Sequence, residues 1–252
     1  MMRPIFAVQN LPVLRKFAAA NVLAAFDFDG TLAPIVSKPE NAAVRPGTLL
    51  LLNQLTSLYS CIVVSGRSRE DTRRKLRGIA FSEIIGNHGI EPWHSSAAFA
   101  RAVKNWLPLL KQGLDGLPGV VLEDKYFSVT IHYRNASDKK AARKTVTDIA
   151  RTLPGAKWVG GKQVMNIIPD RAPGKGLAVE RARQELKCNK VIYVGDEKTD
   201  EDVFDMARRG QSLTIRVGAS KSSAAQFYIR DQREIDRLLK TLIALRAAQP
   251  NR

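Results

Sequence analysis

The run Val22-Leu23-Ala24-Ala25-Phe26 stops abruptly at Asp27-Phe28-Asp29-Gly30-Thr31. Five apolar residues are too few for a buried helix and suit a strand covered on both faces. Residues i and i+2 of a strand point to the same side, so Asp27 and Asp29 are brought close until Gly30 turns the chain. Two neighbouring carboxylates repel unless a proton or cation intervenes. A hard, oxygen-liking cation such as Mg²⁺ is the expected answer.

The same pattern recurs along the chain. Cys61–Val64 ends at Ser65-Gly66-Arg67, Ile84-Ile85 at Gly86-Asn87-His88-Gly89, and Val191–Val194 at Gly195-Asp196. Helical spacing fills the intervals at 46–58, 69–76, 176–186, 200–208 and 234–247, and a further strand is expected over 213–217. Short buried strands alternating with helices predict an α/β fold, a Rossmann-like doubly wound parallel sheet. The Gly-, Asp- and Ser-rich loops would collect at its carboxyl edge, where such sheets bind ligands.

The middle of the chain breaks this rhythm. Residues 97–110 are spaced as a helix, and Phe127 to Tyr133 alternates strictly. Phe127, Val129, Ile131 and Tyr133 fall on one face, with Ser128, Thr130, His132 and Arg134 on a wet one, as in an antiparallel sheet. Ser137 is placed to cap a helix striped by Ala141, Thr145, Ile149 and Leu153, and Val164–Ile168 is another strand. The expected organisation is a core of residues 1–92 and 169–252 interrupted by an α+β cap domain over 93–168.

With 252 residues, 44% of them hydrophobic, the chain has material for a sizeable core. No stretch approaches the roughly 20 apolar residues of a membrane helix. The segment from Phe17 to Phe26 follows Arg15 and Lys16 like a signal peptide, but it runs straight into Asp27 and Asp29, so a cytoplasmic protein is expected. Cys61 and Cys188 sit among apolar residues and are expected as core thiols. The net charge of +16 raises the question of nucleic acid. The basic residues are dispersed, and aromatics are only 7%, too few for a stacking platform. Solubility and attraction of an anionic small molecule are the preferred account, with neither membrane nor nucleic acid as partner. A monomer is expected.

Asp27-Phe28-Asp29-Gly30-Thr31-Leu32, Ser65-Gly66-Arg67, Lys175 and Gly195-Asp196 together resemble the four motifs of the haloacid dehalogenase superfamily. Glu123-Asp124-Lys125, His132-Tyr133-Arg134, Lys175-Gly176 and the run Asp196 to Asp202 followed by Val203-Phe204 resemble the trehalose-6-phosphate phosphatase family within it, over about residues 22 to 245. The resemblance implies Asp27 as nucleophile, forming an aspartyl-phosphate, and Asp29 as general acid and base. It implies Mg²⁺ between Asp27, Asp196 and the main-chain carbonyl of Asp29, with Asp200 behind these ligands. Ser65 would hold a phosphoryl oxygen, and Lys175, near a helix start, the developing charge.

The inserted domain resembles the cap that closes over the sugar in this family, excluding water from the phosphorylated aspartate. Substrate is expected against Gly66, Arg67, Asn87, His88, Glu123, Lys125, Ser128, His132, Arg134 and Asn166. Trp93 and Trp106 are expected to pack. Two positions depart from the family pattern. Glu197 stands where an aspartate is common, and Asn166 where a glutamate usually meets the sugar. Trehalose 6-phosphate is the leading substrate. Sucrose phosphate and glucosylglycerol phosphate follow, and a phosphosugar mutase or a basic nucleic-acid-binding protein is the more distant alternative.

Overall fold

The computed structural model describes residues 2–161 and 163–249. Seven strands form one wholly parallel sheet. They are β1 (Arg3–Pro4), β2 (Val22–Phe26), β3 (Ser60–Val64), β4 (Glu83–Ile85), β9 (Lys190–Gly195), β10 (Ser212–Val217) and β11 (Phe227–Ile229), in the spatial order β1-β11-β10-β9-β2-β3-β4. The alternation of strand residues decides which layer each feeds. Val22, Ala24 and Phe26 pack with Leu14 and Phe17 of α1 (Leu11–Ala18), Leu52 and Leu55 of α2 (Pro46–Thr56), and Leu238 and Leu242 of α8 (Ile235–Ala247). Leu23 and Ala25 pack on the other side with Ala178 and Ala182 of α6 (Lys175–Glu185) and Val203 of α7 (Glu201–Asp205). Both faces are covered, which is the doubly wound arrangement expected.

Between β4 and α6 the chain builds a second sheet, wholly antiparallel: β5 (Val121–Asp124), β6 (Val129–His132), β7 (Ala156–Gly160) and β8 (Val164–Pro169), ordered β5-β6-β8-β7. Val129, Ile131, Met165 and Ile167 pack against Trp106 and Leu110 of α4 (Ala97–Leu114) and Val146 of α5 (Lys139–Thr152). Trp106 is buried as expected, and its indole N–H donates to the Pro154 carbonyl. Trp93 lies partly buried against the core with the Arg181 guanidinium 4.9 Å from its ring.

Several local expectations are corrected. The strand expected from Phe127 begins only at Val129. A tight turn absorbs the preceding residues, with Tyr126 in the left-handed region and the Lys125 N–H donating to the Ser128 carbonyl. Asp138, not Ser137, caps α5, since its carboxylate accepts from the N–H groups of Lys140 and Ala141. The buried stripe of α5 is Ala142, Val146 and Ala150, one residue on from the expected one. The helix expected over 200–208 is a short turn, Lys198–Asp200, followed by α7, which stops at Asp205; a separate turn at Gly210 follows, with the Arg208 carbonyl accepting from Gln211 and Ser212. The polar face of β6 turns to the cleft between the two sheets, where Thr130, His132 and Arg134 line it, whereas Ser128, just before the strand, is buried against Asn87.

Candidate active site

The carboxyl ends of the three adjacent strands β3, β2 and β9 carry Ser65, Asp27 and Asp196. β2 is the central member. Its outward chain turns to β3 on one side, and the later strands lie on the other, so the site occupies the switch point of the sheet. Asp27 is held by its own N–H, which donates to the Val194 carbonyl at 2.9 Å. Gly30, at φ +83°, lets the chain turn back at once. A Cβ there would stand 2.3 Å from Asp196 Oδ2, so the missing side chain is what admits the Asp196 carboxylate.

Lys175 opens α6 and is buried. Its ammonium donates to Asp27 Oδ1 at 2.7 Å and to Asp200 Oδ1 at 2.8 Å. Burial works against the charge, but Asp200 and Asp27 outweigh it and raise the Lys175 pKa. Asp200 Oδ1 also accepts from the Tyr193 hydroxyl at 2.6 Å, and its Oδ2 from the Glu197 N–H at 2.8 Å. Both Asp200 oxygens are thus engaged within the protein. Burial pushes the Asp27 carboxyl well up; Lys175 opposes this, while Asp200 and Asp196 add to it. Burial, with Asp196 beside it, likewise pushes Glu197 up to about 7.

Oxygens of Asp27, Asp196 and Asp200 lie within 4.8 Å of one another. Asp27 Oδ2 is buried and has no hydrogen-bond partner among the described residues. An all-carboxylate donor set with an unpartnered oxygen fits a hard divalent cation, which would offset the burial of Asp27 and the repulsion that Asp200 and Asp196 add to it. The Asp29 side chain is not part of this cluster. It turns to Arg67, whose Nε and Nη2 donate to Asp29 Oδ2 and Oδ1.

A cleft of about 850 Å³ of empty space, partly open to solvent, lies between the two sheets. Of the expected residues, Asp27, Asp29, Gly66, Arg67, His88, Glu123, Lys125, His132, Arg134, Asn166 and Lys175 line it. Ser65 is buried just behind, its Oγ accepting from the Arg67 N–H at 3.1 Å. Asn87 and Ser128 are not among the lining residues. Ser128 donates to Asn87 Oδ1, and the Asn87 amide donates to Glu91 and to the Lys125 carbonyl, so this pair joins the sheets together. Two cap cations also reach core carbonyls: Lys125 to Gly66 at 3.1 Å and Arg134 to Val36 at 3.2 Å.

Glu123 Oε2 lies 2.8 Å from His132 Nε2 and 3.6 Å from the Lys125 ammonium. Asn166 Oδ1 accepts from the Thr130 hydroxyl at 2.8 Å. His88 has a left-handed backbone, and neither ring nitrogen has a hydrogen-bond partner among the described residues. Burial pushes its imidazole well down, Lys175 and Lys125 act in the same direction, and the neighbouring Asn166 side chain opposes them.

Sequence reasoning missed Ile35, Val36, Ser37, Pro39, Val164 and Thr199, and it named Thr130 and Glu197 without placing them among the site residues. Thr130 was legible, since it shares a face with His132. The 35–39 loop carries no pattern that announces it.

A family model described as trehalose-phosphatase matches residues 25–233, most of the chain and all of the residues just described. The chain belongs to the trehalose-phosphatase family. It is therefore a phosphatase, a phosphoric monoester hydrolase. It is 32% identical over 263 aligned positions to the trehalose-phosphate phosphatase of Mycobacterium bovis, covering 94% of this chain and 66% of that one. It is 30% identical to a rice (Oryza sativa) protein named "Probable trehalose-phosphate phosphatase 2", covering 94% and 72%. The C-terminal domain of a Candida albicans trehalose-6-phosphate phosphatase superposes with a TM-score of 0.80 over 97% of this chain and 98% of that one, at 20% identity, which establishes the shared fold. Among the described residues no helix is long and apolar enough to cross a membrane.

Proposed function

We propose that this phosphatase hydrolyses trehalose 6-phosphate to trehalose and phosphate through an aspartyl-phosphate on Asp27. The observation that carries the proposal is the state of the Asp27 carboxylate. Lys175 fixes one oxygen at 2.7 Å, and the other is unpartnered beneath a cleft whose far wall bears Glu123, Lys125 and Asn166. That is a nucleophile facing a polar, cation-rich chamber sized for a sugar phosphate.

One carboxylate oxygen of Asp27 would attack phosphorus as the bond from phosphorus to the sugar oxygen breaks, leaving the other for the cation. Asp29 would give its proton to that leaving oxygen, then take one from the water that hydrolyses the acyl phosphate. Lys175 and the Ser65 hydroxyl would hold the phosphoryl oxygens. Mg²⁺, bound by Asp27, Asp196 and the Asp29 carbonyl, would neutralise the phosphate and orient it. Asp200, with both oxygens already occupied, supports the site by fixing Lys175.

We assign residues 93–168 as the cap and 1–92 with 169–252 as the core. Glu123, Lys125, His132 and Arg134 are the sugar-facing groups. The protein acts as a cytoplasmic monomer in this account.

Asn166 favours a second substrate. With its carbonyl oxygen taken by Thr130, it offers the cleft an N–H donor, where a glutamate would offer an acceptor. Another glycosyl phosphate is the alternative that follows. Phosphate release from trehalose 6-phosphate and from sucrose 6-phosphate tests the choice: preference for trehalose 6-phosphate supports the first proposal, and preference for the other sugar moves the substrate.

A further inference from the structure

Arg67 follows Ser65-Gly66 and lines the cleft, the position expected of a substrate contact. Its guanidinium is engaged elsewhere. Nε donates to Asp29 Oδ2 at 2.7 Å and Nη2 to Asp29 Oδ1 at 2.8 Å, a fork closed on one carboxylate. Nη2 also donates to the Pro39 carbonyl at 2.7 Å, and Nη1 to Asp71 Oδ2 at 2.8 Å. These bonds commit four of the five N–H groups an arginine carries. The Phe28 ring lies 5.4 Å from the guanidinium carbon, and the residue is buried.

Asp29 has no comparable anchor of its own. It stands at a turn beside Gly30, partly exposed in the cleft, with soft side-chain torsions. A planar fork fixes both where a carboxylate sits and the plane in which it lies, which a single hydrogen bond does not. We infer that Arg67 is the positioning residue of Asp29: it sets that carboxylate at the leaving oxygen and is itself set by Asp71 and the Pro39 carbonyl, without touching the substrate. The inference rests on the role of Asp29 as the acid and base of the proposed reaction.

Leaving-group dependence separates this role from its rivals. A nitrophenolate departs without a proton, whereas a sugar or glycerol alkoxide needs one, and kcat/KM covers the steps up to cleavage of that bond. The experiment measures kcat/KM for Arg67→Lys and Asp71→Asn with trehalose 6-phosphate, glycerol phosphate and 4-nitrophenyl phosphate. Lysine keeps the charge and loses the fork; Asp71 acts on Asp29 only through Arg67.

For Arg67→Lys the expected result is a loss of about tenfold or more on both alkyl phosphates, against less than about threefold on the aryl phosphate. Asp71→Asn should show the same ranking at smaller size. A loss confined to trehalose 6-phosphate would make Arg67 a sugar contact and overturn the inference. Equal losses on all three substrates, or none, would make it a structural tie and also overturn it. Wild-type turnover of trehalose 6-phosphate bears on the proposed substrate. The ratio between the two small substrates bears on Arg67 even where another sugar is the natural one.

Discussion

The ammonium of Lys125, on the cap, lies 3.1 Å from the main-chain carbonyl of Gly66, on the core. Burial pushes the lysine's pKa down, and Glu123 opposes this. A substrate hydroxyl or phosphoryl oxygen entering the cleft offers that ammonium a further partner beside the Gly66 carbonyl and Glu123.

Lys125→Ala should therefore lower kcat/KM for the sugar phosphate by roughly tenfold to a hundredfold, the worth of a hydrogen bond to a charged group, about 1.5–3 kcal/mol. A small aryl phosphate, which does not reach the cap, should lose far less. Equal losses on the two substrates in steady-state assays would contradict this placement.

Gly30→Ala should disable the cation site. The new Cβ would stand within 2.5 Å of Asp196 carboxylate atoms, and the backbone there has φ +83°. Added Mg²⁺ should raise the thermal midpoint of the wild-type protein, as any ligand of the folded state does. In the variant this rise should disappear. The same Mg²⁺-induced shift in both proteins would show that Asp196 does not serve the cation.

Lys175→Ala leaves Asp27 and Asp200 facing each other in a buried site with no cation between them. In metal-free buffer at neutral pH the unfolding free energy should fall by about 3–5 kcal/mol, the usual consequence of removing one partner of a buried charge cluster. Urea unfolding measures it. A fall below about 1 kcal/mol, the scale of a surface pair, would contradict the coupling drawn between Lys175 and the two aspartates.

The parallel core was legible because its central strands are short, mainly apolar and stopped by chemistry. Val22–Phe26 is buried on every residue and ends at Asp27, and Ser60–Val64 and Lys190–Gly195 are buried on all but their first, polar residue. The cap was harder to read. β5 and β7 contain no buried residue, since they are the two edge strands of the cap sheet, so neither shows the alternation that marks a half-buried strand. The α5 stripe was misplaced by one residue because Ala141 and Ala142 are equivalent to any hydrophobicity count and only the cap at Asp138 fixes the phase. The motif aspartates were legible at the site. The pairing of Arg67 with Asp29 was not, because it joins residues 38 apart through loops whose shape the sequence does not announce.

Asp71 gives the folded state a pH dependence. Burial works to raise its pKa, but hydrogen bonds from Arg67 and Arg74 outweigh it, and the folded-state value is lowered. A group of this kind stabilises the fold above its unfolded pKa, about 3.9, and the contribution is lost as pH falls through the folded value. Asp71→Asn should lower the thermal midpoint at pH 7, and the gap to wild type should narrow as pH is taken below about 4. A gap that widens on acidification would contradict the pairing.

The most direct measurement is phosphate release from trehalose 6-phosphate, sucrose 6-phosphate, glucosylglycerol phosphate and glucose 6-phosphate, with Mg²⁺ and with a chelator, for the wild type and Asp27→Asn. The account predicts Mg²⁺-dependent release, fastest from trehalose 6-phosphate and abolished by the substitution. Release that persists in Asp27→Asn, or that fails with every one of these substrates, would contradict it.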